Sequence, residues 1–198
     1  MTFSSEFIIL NTTKIGEKSL VLHALTRELG RRSFIVSVGK SSGMSLFLPL
    51  NILEGEISEN SKSDLWRARN ITAVEPLSGL RGSVSKGAMA MFMSEVLYRS
   101  IKDGSYEEGL FEWCKRSILT LDALERDFSN YHLRFLLEYA GALGFSPSVE
   151  GLAPFAGEKM QELTLLLPES MNLDEVQVSS VSAHVNAELA ESDCVDIH

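Results

Sequence analysis

The sequence has few cysteines, few prolines and no long hydrophobic segment, and each shortage excludes a class of protein. Its 198 residues include two cysteines and five prolines. Cys114 and Cys194 lie far apart, so they predict neither a disulfide framework nor, by themselves, a four-ligand zinc site. The longest apolar run, residues 88–93, has six residues, far short of the roughly 20 that a membrane-spanning helix needs. Residues 1–15 lack the basic start of a signal peptide, so we expect a cytoplasmic protein with no membrane partner.

The net charge of −9 is unevenly distributed along the chain. Residues 1–53 carry six basic and three acidic residues, whereas residues 150–198 carry one basic and ten acidic residues. Net charge acts on solubility and on the steering of ligands, but it does not decide what one face of a protein binds. The acidic excess lies in the last quarter of the chain, and the amino-terminal part is basic enough to bind a polyanion.

Short apolar runs separated by turn residues predict a β-rich domain over residues 1–76. Gly30 follows the second run and is suited to the positive φ that closes a hairpin. Pro49 lies in the fourth run, and its missing N–H favours an edge or a bulge there. Five or so short strands at this spacing are typical of a small closed or nearly closed barrel. The runs are residues 7–10, 20–25, 34–38, 46–53 and 71–74, with Ile57 between the last two.

Helical periodicity replaces the strand pattern near residue 83 and predicts a helical domain over residues 80–167. Ser105 and Glu108 match a capping box, which predicts that the second helix begins at residue 105. The acidic residues 168–198 have few large apolar side chains, which is typical of a poorly packed or disordered tail. The predicted fold class is therefore α+β, a barrel followed by helices. The expected helical segments are residues 88–101, the helix beginning at 105, and residues 130–143 and 157–167.

The search for a catalytic or metal-binding motif is negative. Gly39-Lys40-Ser41 resembles the end of a phosphate-binding loop, but Phe34 stands where that loop requires glycine. The four histidines have no His, Cys or carboxylate partner at ligand spacing. Cys114 lies on an apolar stripe, which predicts a buried, inert thiol. We predict no enzyme activity, no metal and no cofactor; a hydrolase assembled from distant residues is the alternative.

Basic side chains recur at the turns of the predicted barrel. A barrel that binds single-stranded nucleic acid needs cations for the phosphates and aromatic faces for unstacked bases. Phe34, Phe47 and Trp66 are candidate aromatic platforms, although each also suits the barrel core. The predicted nucleic-acid-binding residues are Lys14, Lys18, Arg27, Arg31, Arg32, Lys40, Trp66, Arg67 and Arg69.

Five segments, taken in order, carry a family resemblance over roughly residues 5–149. They contain Gly16-Glu17, Thr26, Gly30, Leu48-Pro49, and Gly144-Phe145 with Pro147. As an ordered set they resemble the bacterial recombination-mediator family RecO, particularly its Bacteroidetes-type members. The segments are IGEKSLVLHALTRELGRRSFIV, SLFLPLNILEGEI, MAMFMSEVLYRSI, EEGLFEWCKRSILTLD and NYHLRFLLEYAGALGFSP.

The resemblance implies an amino-terminal OB-fold, a central helical domain and a non-enzymatic, cytoplasmic and nucleoid-associated role in recombinational DNA repair. Family members bind single- and double-stranded DNA, anneal complementary strands, pair with RecR and help to load RecA. They also engage the acidic, hydrophobic C-terminal tail of single-stranded DNA-binding protein. An apolar groove at Met93, rimmed by Arg99, Lys102 and Arg134, is expected to hold that tail, although the methionines around Met93 also suit a helical core.

Three features depart from the family pattern. The loop after the third strand is the short GKSSGMS, with Lys40 alone, where relatives usually carry a longer and more basic loop. This departure favours an alternative function, a protein adaptor for single-stranded DNA-binding protein or RecR with little DNA affinity. The region SVEGLAPFAGEKMQEL has no cysteine, where many relatives have a four-cysteine zinc module, so no zinc is expected. The acidic end after about residue 168 matches no family helix.

Overall fold

Five strands close into a small barrel at the amino-terminal end of the chain. The computed structural model describes residues 2–16, 19–37, 43–60, 65–126 and 128–144. The strands are β1 (Thr2–Ile15), β2 (Ser19–Thr26), β3 (Gly30–Ser37), β4 (Ile52–Ser58) and β5 (Trp66–Ala73). Their order around the barrel is β1-β2-β3-β5-β4, and the β3–β5 pairing is parallel, whereas the other pairings are antiparallel. A five-stranded barrel of this kind is an OB-fold, so the fold class expected from the sequence is confirmed.

The barrel interior is filled by alternate apolar residues of its strands, because successive side chains of a strand point to opposite faces. Phe7 and Phe34 lie with their ring centroids 5.6 Å apart inside it. Phe34 and Phe47 are 0% and 4% exposed, so neither offers a face on which a base could stack. The buried cluster consists of Phe7, Ile9, Leu20, Leu22, Ala24, Phe34, Val36, Phe47, Leu53, Ile57 and Ala68.

Four helices follow the barrel: α1 (Ser78–Gly82), α2 (Val84–Ser100), α3 (Leu110–Ala123) and α4 (Tyr131–Ala142). Helix α2 packs against β1, and the hydroxyl of its Ser94 donates to the carbonyl of Leu10. The barrel and α1–α3 form one compact unit, residues 1–123, while α4 belongs to a second unit that begins at Leu124. No helix among the described residues has the length and apolarity to cross a membrane.

The predicted domain limits, residues 1–76, 80–167 and 168–198, stay a prediction. The expected helix at residues 157–167 and the acidic tail lie outside the described residues.

The fourth predicted strand is wrong over most of its length. A 3-10 helix occupies Met44–Phe47, and β4 begins only at Ile52. Pro49 has no N–H to give to a ladder, and Leu50 takes a positive φ of 61°, which extended backbone does not allow. The side-chain amide of Asn51 donates to the carbonyls of Ser45 and Leu46 and closes the turn.

The predicted start of the second helix at residue 105 is also wrong, since α3 begins at Leu110. The Ser105 carbonyl accepts from the backbone N–H of Arg31 at 3.0 Å, and its hydroxyl donates to the carbonyl of Lys102 at 2.7 Å. Ser105 is therefore held against β3 and does not cap a helix. The local pattern matched a capping box, but a tertiary contact with the barrel takes precedence.

Gly30 is required where β3 begins. Its φ is +66°, and a Cβ atom at this position would lie 1.9 Å from the backbone oxygen of Ser105. Both the left-handed backbone and the close approach of the chain after α2 exclude a larger residue.

We expect Gly30→Ala to lower the free energy of unfolding by about 1–3 kcal/mol, because a left-handed conformation is strained for alanine and Ser105 must move. Urea denaturation of the full chain measures this change. Gly87→Ala is the matched control: Gly87 lies within α2 with nothing within 4 Å of the added Cβ, so this change should stabilise the protein by about 0.5–1 kcal/mol. Equal effects of the two substitutions on the free energy of unfolding would contradict the conclusion that Gly30 is required where β3 begins.

Candidate nucleic-acid interface

A groove opens at one end of the barrel, between β3 and β5. The two strands are in register only at Phe34–Trp66 and Ile35–Arg67, and beyond these pairs their described residues no longer form a ladder. The groove has a volume of about 790 Å³. Its lining includes Val36 and Ser37 of β3, Arg67 and Arg69 of β5, and Leu46 and Phe47 of the 3-10 helix.

Arg67 and Arg69 provide the positive charge of this groove. Both side chains are exposed, whereas Ala68 between them is buried in the barrel. Residues two apart on a strand point to the same face and lie about 6.6 Å apart. Among the described residues, no side chain forms an ion pair or a hydrogen bond with either guanidinium. Glu56 lies opposite Arg69 in the β4–β5 ladder and is the nearest acidic position in register.

Trp66 and Lys14 also lie near the groove. Trp66 is half-buried and packs against the barrel core, so only part of its indole is available for stacking. Lys14 is exposed and lies opposite Leu20, next to the groove residue Ser19. The predicted sites Lys18 and Lys40 lie outside the described residues.

Arg27 has internal partners. Its Nη2 lies 2.6 Å from Glu6 Oε2, and its Nη1 forms an ion pair with Glu112. The guanidinium also lies 4.9 Å from the ring centroid of Phe111. The hydrogen bond with Glu6 raises the pKa of Arg27 above its usual value. Contact between Arg27 and nucleic acid stays a prediction. Such a contact would require Arg27 to give up its ion pairs with Glu6 and Glu112.

Arg31 and Arg32 face the chain segment between α2 and α3. Arg31 Nη1 donates to the carbonyl of Tyr98 at 2.6 Å and to that of Ile101, where a cation is favourable at the carboxyl end of α2. Its guanidinium lies 4.5 Å from the ring centroid of Tyr98. Arg32 Nη1 donates to the carbonyl of Arg31 at 2.8 Å. DNA contact by this pair stays a prediction.

The four residues expected to hold a partner peptide lie in different surroundings. Met93 is completely buried, so a peptide reaches it only if the helices rearrange. The exposed Arg99 pairs with Glu95 one turn earlier on α2, and Lys102 is exposed just beyond that helix. Arg134 lies on α4 in the second unit, where it pairs with Glu138 at 2.7 Å. The peptide site stays a prediction.

Glu6 joins three elements, and sequence patterns did not reveal this. Its Oε2 accepts from Lys115 Nζ of α3 at 2.8 Å and from Arg27 Nη2, in the turn between β2 and β3, at 2.6 Å. Burial by itself raises the pKa of Glu6, but the hydrogen bonds and charges of Lys115 and Arg27 outweigh it, and the pKa lies below the usual 4.5. To predict this contact from the sequence, one would need to know that residues 6 and 115 lie close together in the fold, and no local sequence pattern contains that information.

The described residues offer little for metal or covalent chemistry. No group of three or more His, Cys, Asp or Glu side chains in this part of the chain could hold a metal ion. The thiol of Cys114 is buried, and burial raises its pKa far above the usual value, so it stays protonated and unreactive at neutral pH.

Comparison with known proteins identifies the sequence family. The family model "Recombination protein O N terminal" matches residues 1–77, and "Recombination protein O C terminal" matches residues 81–151. The chain is 35% identical over 147 residues to the DNA repair protein RecO of Phocaeicola vulgatus, which covers 72% of this chain and 61% of the relative. For RecO of Flavobacterium johnsoniae the identity is 32% over 154 residues, or 75% of this chain and 65% of the relative. The chain thus spans less than two thirds of the length of these relatives.

We expect Glu6→Gln to destabilise the protein by about 1–2 kcal/mol at neutral pH, because Lys115 and Arg27 lose a partly buried carboxylate. The pKa of Glu6 is lowered by folding, so its stabilising effect is present above pH 4.5 and is lost as the pH falls through the folded-state pKa. Urea denaturation of the wild type and of Glu6→Gln, at neutral pH and below the folded-state pKa of Glu6, measures the loss of stability and its dependence on pH. If the difference in free energy of unfolding between the wild type and Glu6→Gln stays constant over this pH range, the stabilising role of the Glu6 carboxylate is refuted.

Proposed function

The chain belongs to the RecO family, whose curated members are DNA repair proteins, and on this basis we propose that its barrel binds DNA at the groove between β3 and β5 during recombinational repair. The observation that carries the proposal is the pair Arg67 and Arg69, two exposed cations on one face of β5 at the edge of an OB-fold groove. The proposed action is non-enzymatic and needs no cofactor.

Charge neutralisation is the proposed basis of DNA binding. Arg67 and Arg69 have a spacing of about 6.6 Å along β5, which suits adjacent phosphates of one extended strand. Each neutralised phosphate releases counterions, so the affinity falls as the salt concentration rises. Leu46 and Ile71 supply apolar groove wall for the bases, while Trp66 is the half-buried aromatic platform. Interactions of this kind do not distinguish base sequences.

Strand annealing follows from the same physics. Two complementary strands repel each other through their phosphates, and a protein that neutralises part of this charge lets them approach and pair. We further propose, on the strength of the family relationship, that the protein acts on DNA coated with single-stranded DNA-binding protein, pairs with RecR and helps to load RecA. Cytoplasmic localisation belongs to the same set of proposals.

A second candidate function is a protein adaptor with weak DNA affinity. The observation that favours it is the internal pairing of Arg27, Arg31 and Arg32, because these are three of the six basic residues in the first 53. An adaptor would bind the tail peptide of single-stranded DNA-binding protein, or RecR, while binding oligonucleotides little.

We expect the double substitution Arg67→Ala/Arg69→Ala to weaken binding of labelled oligothymidylate and to flatten its salt dependence. The slope of log K against log salt should fall in magnitude by about 0.7 for each phosphate that the variant no longer neutralises. Fluorescence anisotropy at several salt concentrations measures the affinity and the slope together.

Arg116→Ala is the matched control, since it also removes an exposed positive charge, but from α3. It should leave the slope unchanged. An unchanged slope in the Arg67→Ala/Arg69→Ala variant would remove the groove from the DNA site. Capture of the tail peptide with no oligonucleotide binding by the wild type would select the adaptor function.

A further inference from the structure

Strand β5 contains an extra residue in its ladder with β4. In this ladder Arg69 pairs with Glu56, and Thr72 pairs with Glu54. Two residues of β5 therefore stand opposite the single Gly55, and this two-against-one count is a β-bulge. A bulge bends the strand that contains it and increases the local twist. We therefore expect β5 to bend just after Arg69.

Asn70 provides the backbone conformation of the bulge. Its φ is 53°, in the left-handed region that most side chains avoid and that asparagine tolerates better than most. Arg69 and Asn70 are both exposed, whereas the next residue, Ile71, packs against the barrel core. Two neighbouring residues with outward side chains mean that the alternation of a regular strand is interrupted here. The break in β5 is therefore centred on Asn70.

Gly55 of β4 leaves room for the bulge. A Cβ atom at this position would lie 3.1 Å from the backbone oxygen of Arg69 and 3.2 Å from Cγ1 of Ile71. Both distances are shorter than an ordinary van der Waals contact, so a larger residue would press on the bulged backbone. The residue that tolerates the left-handed conformation and the residue without a side chain thus face each other across the ladder.

The bulge lies close to the point where β5 leaves β3. The last parallel pair of these strands is Ile35–Arg67, although β3 continues to Ser37. In an unbroken ladder the same register would place Ser37 beside Arg69. The groove opens at this place instead, and Asn70 is one of the residues that line it.

We propose that Asn70 is a positioning residue for the groove, because the bulge that its left-handed backbone forms turns β5 away from β3 and keeps the groove open. The observation that carries this inference is the order along one strand: the pairing with β3 ends at Arg67, and the bulge follows at once. The opening exposes Leu46 and Ile71, the apolar wall of the groove. The effect on DNA rests on the function proposed above, whereas the effect on the shape of the groove does not.

Deletion of Asn70 tests the role of the bulge. It removes the extra residue and leaves the other pairs of the β4–β5 ladder in register, with Ile71 opposite Gly55. Both arginines of β5 keep their face, because the alternation of the strand becomes regular. We expect β5 to continue its ladder with β3, so that cross-strand nuclear Overhauser effects between backbone protons of Ser37 and Arg69 appear in the variant and are absent from the wild type. Urea denaturation checks that the variant is folded.

The deletion should also weaken DNA binding without changing its salt dependence. Because the variant keeps Arg67 and Arg69, the slope of log K for oligothymidylate against log salt should equal that of the wild type. The affinity should fall by about tenfold at every salt concentration, because the closed groove denies one base its contact with the groove wall. Loss of the arginines themselves flattens the slope, so the two effects are distinguishable in the same anisotropy titration.

Asn70→Gly is the matched control. Glycine adopts a positive φ without strain, so this variant keeps the bulge and loses only the side-chain amide. It should bind oligothymidylate like the wild type and show no contact between Ser37 and Arg69. Asn70→Val lacks the same amide, but a β-branched residue at positive φ is strongly disfavoured. It should therefore bind more weakly than Asn70→Gly.

The role of Asn70 is overturned by a folded deletion variant that shows no Ser37–Arg69 contact, or by one that binds oligothymidylate as tightly as the wild type. An affinity loss in Asn70→Gly as large as that in the deletion variant would assign the effect to the side-chain amide and contradict the proposal. If the deletion variant does not fold, identical results for Asn70→Val and Asn70→Gly in both measurements contradict it. If the wild type binds no oligothymidylate, the proposed DNA site fails, and the Ser37–Arg69 contact alone decides whether the bulge opens the groove.

Discussion

The short pairing between β3 and β5 is the constraint on which the rest of this structure depends. Only two register pairs join these strands, although β3 pairs with β2 along its whole length. At its carboxyl end β3 borders the groove that contains Arg67 and Arg69. At its amino end it pairs with Gly104 and Ser105 in the segment between α2 and α3. One strand thus forms a wall of the candidate DNA site and the docking edge for the helical part of the same compact unit.

The positive charge of the amino-terminal segment is not equivalent to a binding surface. Glu6 and Glu112 neutralise Arg27, and the carboxyl end of α2 holds Arg31. The most accessible arginines of the barrel instead belong to residues 54–76, a segment whose own net charge is negative. A charge sum treats every lysine and arginine alike, whereas binding depends on which cations are left without an internal partner. Local geometry therefore decides where a polyanion can be held.

Local sequence patterns predicted correctly those strands and turns that neighbouring residues specify. Short apolar runs indicated β1, β2 and β3, and the turn before β3 was recognised from Gly30. The error at the start of α3 has a different origin, because a contact with β3 holds Ser105. At β4 the strand pattern was interrupted by Pro49 and by the positive φ of Leu50. In the candidate site, Arg67 and Arg69 were found because they are adjacent to Trp66. The partners of Arg27 and Arg31 were missed because residues 6, 98, 101 and 112 are remote in sequence.

The family relationship and the residue geometry answer different questions. A shared fold supports a shared role, but function depends on the side chains at each site. Here β3 contributes to two features: its carboxyl end borders the groove, and its amino end pairs with Gly104 and Ser105 after α2. Arg31 joins the amino end of β3 to the helical part of the same compact unit, because its backbone pairs with Gly104 and Ser105 while its side chain binds the carbonyl of Tyr98 at the carboxyl end of α2.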